Sequence, residues 1–152
     1  MVERFIVGAR IVGGPRIERE RGAGRKRAIV VEAPSDESGW ISAALVQFGV
    51  QVTPAASSRD AVLALDAAIV VRQVPDVIVC DIGLPDEDGY RLMEELSVRP
   101  KSRGGAIPVI ALSSRGRPQD KRRALAAVFR LHVTRPVAPG TLAAAVSSVL
   151  PH

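Results

Sequence analysis

The segment with the clearest chemical potential is an apolar strand that ends on a carboxylate. Val77 to Cys80 is unalternated and rich in β-branched residues, the pattern of a strand buried on both faces of a parallel sheet. Asp81 follows at once, and residues 82–90 (IGLPDEDGY) read as a loop punctuated by proline and glycine. Because ligands bind beyond the carboxyl ends of parallel strands, Asp81 is a candidate acid in a site. The alternative is that Asp81 only caps the helix that follows.

Polar side chains also follow three other predicted strands. Glu32 ends the first strand, Ser113 and Ser114 follow the fourth, and Arg135 follows the fifth. In a doubly wound sheet the first, third, fourth and fifth strands are neighbours around one crevice. We therefore expect two carboxylates, a hydroxyl and a cation to converge at one edge of the sheet, with Asp81 as one of the carboxylates.

The elements that must position these side chains alternate along the chain from residue 27. Strand patterns occupy residues 27–32, 50–52, 77–80, 107–112 and 131–134. A first helix starts at Pro34-Ser35-Asp36 and ends at Gly49, and further helical patterns cover residues 58–72, 89–97, 118–128 and 139–150. Five β-α units with such short connections imply right-handed crossovers, which predict an α/β fold with a doubly wound, five-stranded parallel sheet.

Composition limits the class of protein. The 152 residues, 47% hydrophobic and 3% aromatic, suit one domain with an aliphatic core. No apolar run reaches the roughly 20 residues that span a bilayer, and arginines interrupt any secretory pattern at the N-terminus. The single cysteine, Cys80, excludes an intrachain disulfide. We expect a cytoplasmic protein without membrane contact.

The net charge of +5 is concentrated at the N-terminus. Residues 1–27 carry eight Lys or Arg against three acids, whereas the remaining 125 residues hold 13 of each. We interpret residues 1–26 as a basic, flexible extension and residues 27–152 as the folded domain. Such a segment can contact nucleic acid nonspecifically, but a solvated extension is the simpler interpretation, and we expect no nucleic-acid partner.

The chain resembles the receiver domain of bacterial response regulators over about residues 27–150. The resemblance is carried by DIGLPDEDGY at 81–90, ALSS at 111–114 and HVTRPV at 132–137. It implies the flavodoxin-like receiver fold, with strand order 2-1-3-4-5, and a role in two-component phosphorelay signalling.

The resemblance also implies a role for each candidate residue. Asp81 matches the aspartate that accepts a phosphoryl group from a histidine kinase, and Ser113 matches the hydroxyl that senses it. His132 matches the switch position, and Arg135 stands where the family usually has lysine. The implied ligands of Mg²⁺ are Glu32, Asp81 and the backbone carbonyl of Gly83.

Two residues depart from the family pattern. The family usually has two adjacent acids after the first strand, and here Ala33 replaces the second, which is normally a direct Mg²⁺ ligand. Arg135 presents a planar guanidinium where a compact ammonium is usual. These changes predict weak Mg²⁺ binding and slow or absent phosphoryl transfer to Asp81.

Two functions stay open at this stage. The first is a receiver switched by phosphorylation; because the sequence stops after its fifth predicted helix, we expect no output domain. Its expected partners are a sensor histidine kinase or phosphotransfer protein, a downstream protein, and a second protomer in a homodimer, received by the face of the fourth helix, fifth strand and fifth helix. The second is a phosphorylation-independent pseudoreceiver that acts as an interaction module.

An enzyme is the third possibility, and we do not expect one. Phosphatase-like enzymes with an aspartyl nucleophile on a doubly wound sheet carry a second acid two residues later. That position here is Gly83.

Overall fold

A parallel sheet of five strands forms the centre of the molecule. A computed structural model describes residues 25–32, 39–81, 88–113, 130–134 and 137–150. The strands are β1 (Arg27–Val31), β2 (Gln51–Ala55), β3 (Val77–Asp81), β4 (Val109–Ser113) and β5 (Leu131–Thr134). They are all parallel, in the order β2-β1-β3-β4-β5, which confirms the predicted doubly wound sheet and its flavodoxin-like order.

Helices cover both faces of this sheet. Those described are α1 (Trp40–Gln47), α2 (Ser58–Val70), α3 (Asp88–Ser97) and α4 (Pro139–Val149), with a short 3-10 helix at Lys101–Arg103. The helix predicted at residues 118–128 lies outside the described residues, as do residues 1–24. The fifth predicted helix is therefore α4, and the basic extension stays a prediction.

The central strands are buried on both faces, as their unalternated sequences predict. Ala28 and Val30 of β1 join a cluster under α1 and α4, whereas Ile29 and Val31 join a cluster under α2 and α3. β3 divides its side chains in the same way. Each fully buried aliphatic side chain contributes about 1.5–3 kcal/mol to folding. Burial on both faces fixes the register of β3, and hence the position of Asp81.

Two strand boundaries differ from the prediction by two or three residues. β2 runs to Ala55 rather than stopping at residue 52, because β2 is an edge strand and tolerates Pro54, which lacks an N–H. β4 begins at Val109, after Pro108, rather than at residue 107. The helix start predicted at Pro34-Ser35-Asp36 lies outside the described residues; the described helix α1 begins at Trp40, preceded by Gly39 with a left-handed φ of 93°.

Polar contacts join β1 to β3 at the beginnings of these strands and join two of the helices to each other. The Arg27 amide donates to Asp76 Oδ2 (2.9 Å), and the Asp76 amide donates to the Arg27 carbonyl (2.8 Å), which joins the beginnings of β1 and β3. Arg99 Nη1 donates to Asp66 Oδ1 (2.7 Å), which joins the end of α3 to α2. Within the described part of the chain, no helix has the length and apolar character to cross a membrane.

Candidate functional site

The carboxyl edge of the sheet brings Glu32 and Asp81 next to each other. Val31 of β1 lies beside Cys80 of β3 in the parallel register, and Glu32 and Asp81 are the next residues along the chain. Neighbouring strands are about 4.8 Å apart. Glu32 and Asp81, which are far apart in sequence, therefore lie at the same level on the carboxyl edge of the sheet.

Asp81 is the last residue of β3 and is half-buried. Its strand is flanked by β1 and β4, so it stands at the middle of the edge rather than at a margin. The Cys80 Sγ lies 3.7 Å from the Asp81 carbonyl oxygen. Asp81 is thus the end of a rigid, buried strand, which is the setting in which a site residue is held in a fixed position.

The backbone of β4 and β5 extends this edge on the other side of Asp81. Asp81 pairs with Leu112 of β4, which places Ser113 one residue further toward the edge. Ser113 in turn pairs with Thr134, the residue before Arg135. His132 pairs with Ala111, two residues below the level of Ser113. Glu32, Asp81 and Ser113 therefore lie at the carboxyl ends of neighbouring strands, and His132 lies two residues before the end of β5.

Glu32 has a structural contact that the sequence did not reveal. Its Oε1 accepts a hydrogen bond from the Gly39 amide (2.8 Å), and its own amide donates to the Ala55 carbonyl (3.0 Å). Gly39 immediately precedes α1, so an anionic side chain lies at the positive end of that helix. The contact links β1 to α1 across seven residues of sequence. In the sequence, the only local sign of this contact is an acid that stands between a strand and the helix after it.

A shallow cleft opens beside Glu32, on the β2 side of β1. It has a volume of about 460 Å³ and is lined by Glu32, Gly39, Ser42, Pro54, Ala55, Ala56 and Asp60. Glu32 and Asp60 contribute its carboxylates. The edge of the sheet around Glu32 is thus open to small ions and water.

The sequence of the chain matches the response regulator receiver domain family over residues 29–147. The chain belongs to this family. Receiver domains are signalling modules of two-component systems that interact with histidine kinases and downstream partners, and phosphorylation and Mg²⁺ binding are typical of them.

Curated relatives match the receiver over most of its length. An uncharacterised 14.6 kDa protein from the sodA1 3′ region of Leptolyngbya boryana is 31% identical over 111 residues, which cover 73% of the receiver chain and 79% of that relative. The transcriptional regulatory protein PhoP of Escherichia coli is 31% identical over 110 residues, which cover 72% of the receiver chain. The match spans 45% of PhoP, so less than half of that relative corresponds to this chain.

Solved receivers share the fold. The chemotaxis response regulator CheY4 of Vibrio cholerae superposes with a TM-score of 0.69 at 22% identity, over 83% of this chain and 99% of that chain. The receiver domain of the sensor histidine kinase PA1611 from Pseudomonas aeruginosa gives a TM-score of 0.69 at 27% identity, over 83% and 97%. That neighbour holds a magnesium ion in its active-site cleft.

Several predicted site positions lie outside the described residues. These are Ala33, Gly83, Ser114 and Arg135, together with the side chains of Ser113 and His132. Their roles stay predictions. What the described part of the receiver supplies is the placement of Asp81 and Glu32 and the backbone register that leads to the others.

The donor set at this edge fits a loosely held magnesium ion. Among the residues that the structure describes, no three His, Cys, Asp or Glu side chains form a cluster that could enclose a metal. Asp81 and Glu32 nevertheless offer hard oxygen donors from the ends of neighbouring strands, and Mg²⁺ commonly binds proteins through one or two carboxylates while keeping several waters. One oxygen of Glu32 already accepts from Gly39, which leaves less of this carboxylate for an ion.

Proposed function

We propose that this receiver accepts a phosphoryl group on Asp81 from a histidine kinase or a phosphotransfer protein. The observation that carries the proposal is the position of Asp81: it ends the central strand β3, half-buried, beside the acid that follows β1. Family membership over residues 29–147 supplies the class of reaction.

The proposed reaction needs little covalent chemistry from the protein. A carboxylate oxygen of Asp81 attacks the phosphorus of a donor phosphohistidine. A P–O bond forms as the P–N bond breaks, and the imidazole of the donor leaves and takes a proton. Because the transferred group carries negative charge, the protein contributes mainly position and electrostatic stabilisation.

Three further residues complete the proposed site. Ser113 would donate its hydroxyl to a phosphoryl oxygen, and Arg135 would pair with the phosphoryl group through its planar guanidinium. His132, at the level of Ala111, would move when Ser113 moves. These assignments rest on the motif matches and on the register of β4 and β5.

Asp81, Glu32 and the backbone carbonyl of Gly83 are the proposed Mg²⁺ ligands. A bound Mg²⁺ would offset the charge that develops on the transferring oxygens. Ala33 removes one carboxylate, and the bond from Gly39 to Glu32 occupies part of another. We therefore propose weak Mg²⁺ binding and slow phosphorylation, rather than a site without activity.

The proposed output is a change in partner binding. The expected surface comprises residues 118–128, β5 and α4, which follow Ser113 in the chain. Phosphorylation would alter this surface through the two switch positions, Ser113 and His132. If Asp81 has no such effect, the receiver is a phosphorylation-independent interaction module, and the experiment below separates the two functions.

Trp40 provides a direct probe of this proposal. It follows Gly39, whose amide binds Glu32, so an ion at Glu32 should change the fluorescence of Trp40. We expect a weak response to Mg²⁺, a further response to acetyl phosphate, and loss of both in Asp81→Asn. Ala33→Asp should tighten Mg²⁺ binding at least about tenfold. An Asp81→Asn protein that responds like wild type would support the interaction module instead.

A further inference from the structure

Helix α2 carries an apolar stripe that the described part of the domain leaves exposed. The stripe consists of Leu63, Ala67, Val70, Val71 and Val74. Leu63 is 57% exposed, Val70 82%, Val71 61% and Val74 40%, and Ala67 is also exposed. The first four recur at helical spacing and so share one face, and Val74 follows just beyond the end of the helix.

The opposite side of α2 already packs on the sheet. Ala61 and Leu65 are buried there against the cluster that contains Ile29 and Ile78. The helix is therefore apolar on two sides, which is the pattern of a helix covered on both. Neighbouring α3 differs, because its exposed positions include Arg91, Glu94 and Glu95.

We infer that the stripe on α2 is a contact surface for a second copy of this chain, paired antiparallel. In that arrangement Leu63 of each copy lies opposite Val70 of the other, and the small residue Ala67 lies at the centre of the contact. The 13-residue helix is about 20 Å long, so the pairing can extend along its whole length.

The charges at the two ends of the stripe favour this orientation. Arg59 and Asp60 lie at the beginning of α2, and Arg72 follows its end. In a parallel pair each of these charged residues would lie beside the same residue of the partner, so that like charges would be adjacent. The antiparallel pair instead brings Asp60 toward the partner's Arg72.

The groove next to Leu63 adds a complementary shape. It lies between α2 and α3, measures about 270 Å³, and is lined by Ser58, Arg59, Val62, Leu63, Arg91, Leu92 and Glu95. Since the partner's Val70 and the partner's Val71 face this end of α2, they are placed to pack at its apolar wall. The negative charge of Asp66, on the same helix, is already neutralised by its bond with Arg99.

The size of the stripe sets the strength of the pairing. A standard protein interface uses about 20–30 residues on each side, and the stripe with its charged ends offers far fewer. We therefore infer a weak, concentration-dependent dimer. It requires no phosphorylation, so it can be tested on the whole untreated chain.

Sedimentation equilibrium from about 10 μM to about 1 mM covers this weak range. The mean mass of the wild type should rise toward twice that of the monomer. L63E/V70E and L63K/V70K should each stay monomeric, and an equal mixture of the two should associate again. L63E/V70K should associate alone, because only an antiparallel pair places the introduced carboxylate of one copy against the introduced ammonium of the other.

Val46→Glu is the matched control. Val46 is 55% exposed, like Leu63, but lies on α1 at the other face of the sheet, so its variant should associate like wild type. A wild type that stays monomeric at about 1 mM overturns the inference, as does association that survives L63E/V70E. Binding of phospholipid vesicles through Leu63 and Val70 without dimerisation would also overturn it, in favour of a membrane contact.

Discussion

At the scale of single residues, side-chain bonds join parts of this receiver that lie 7 to 49 residues apart in sequence. Glu32 binds Gly39, Asp76 binds Arg27, and Arg99 binds Asp66 across 33 residues. The first contact adjusts the proposed site, because it draws one oxygen of a proposed Mg²⁺ ligand toward α1. The other two hold the sheet and its helices at the edge opposite the site.

The Asp66–Arg99 pair predicts a pH effect. The hydrogen bond from Arg99, aided by its positive charge, lowers the pKa of Asp66 below its ordinary value of 3.8. Because the folded pKa lies below the unfolded one, the pair stabilises the fold above about pH 4 and loses this effect as pH falls through the folded pKa. Arg99→Met should return the Asp66 pKa toward normal in an NMR titration. Arg91→Met should leave it unchanged, and equal pKa values in wild type and Arg99→Met would contradict the assignment.

Asp76 makes a second prediction at this scale. Asp76→Ala removes the acceptor of the Arg27 amide and should lower the free energy of unfolding by about 1–3 kcal/mol. Asp76→Asn keeps a side-chain oxygen and should cost less than half as much. Urea denaturation measures both variants. Equal losses would mean that charge, rather than the hydrogen bond, accounts for the contribution of Asp76.

At the scale of elements, the periodic patterns identified all five strands and the described helices. They could not fix every boundary, since the extension of β2 through Pro54 depends on β2 being an edge strand, which is a property of the assembled sheet. The bond between Glu32 and Gly39, next to the start of α1, is likewise a tertiary contact. Local pattern therefore predicts which element forms, and tertiary contact decides where it ends.

The turn between α3 and β4 gives a prediction for an element boundary. A Cβ on Gly105 would overlap the carbonyl oxygen of Arg99, whereas a Cβ on Gly39 would meet no atom within 4 Å. Gly105→Ala should therefore destabilise the fold by about 3 kcal/mol. In Gly39→Ala the only penalty is the left-handed φ of residue 39, so this variant should lose about 1 kcal/mol of stability. Thermal unfolding compares them, and a Gly105→Ala protein as stable as Gly39→Ala would contradict the steric account.

At the scale of the whole molecule, the fold places the proposed phosphorylation site at one edge of the sheet and the proposed dimer contact on helix α2. The order β2-β1-β3-β4-β5, which the resemblance to receiver domains implied, places Asp81 between β1 and β4. Apolar runs such as Val77 to Cys80 were sufficient to identify the strands, because the central strands are buried on both faces. The stripe on α2 was not predicted, since Leu63 and Val70 cannot be distinguished from core residues until the burial of Ala61 and Leu65 is known.

Family membership and the proposed activity rest on different observations. The match over residues 29–147 establishes a receiver, whereas the proposed slow phosphorylation follows from Ala33 and Arg135, which depart from the family pattern. Activity should therefore depend on Asp81 but proceed slowly. Ala33→Asp should increase the rate of phosphorylation, because it returns an oxygen ligand for Mg²⁺.

Intact-protein mass spectrometry after incubation with Mg²⁺ and acetyl phosphate tests the central claim most directly. The wild type should slowly gain the mass of one phosphoryl group, which hydroxylamine removes as expected for an acyl phosphate, and Asp81→Asn should gain none. Wild-type protein that stays unmodified while Ala33→Asp also stays unmodified, or a phosphoryl group that persists in Asp81→Asn, would contradict the assignment of Asp81 as the acceptor.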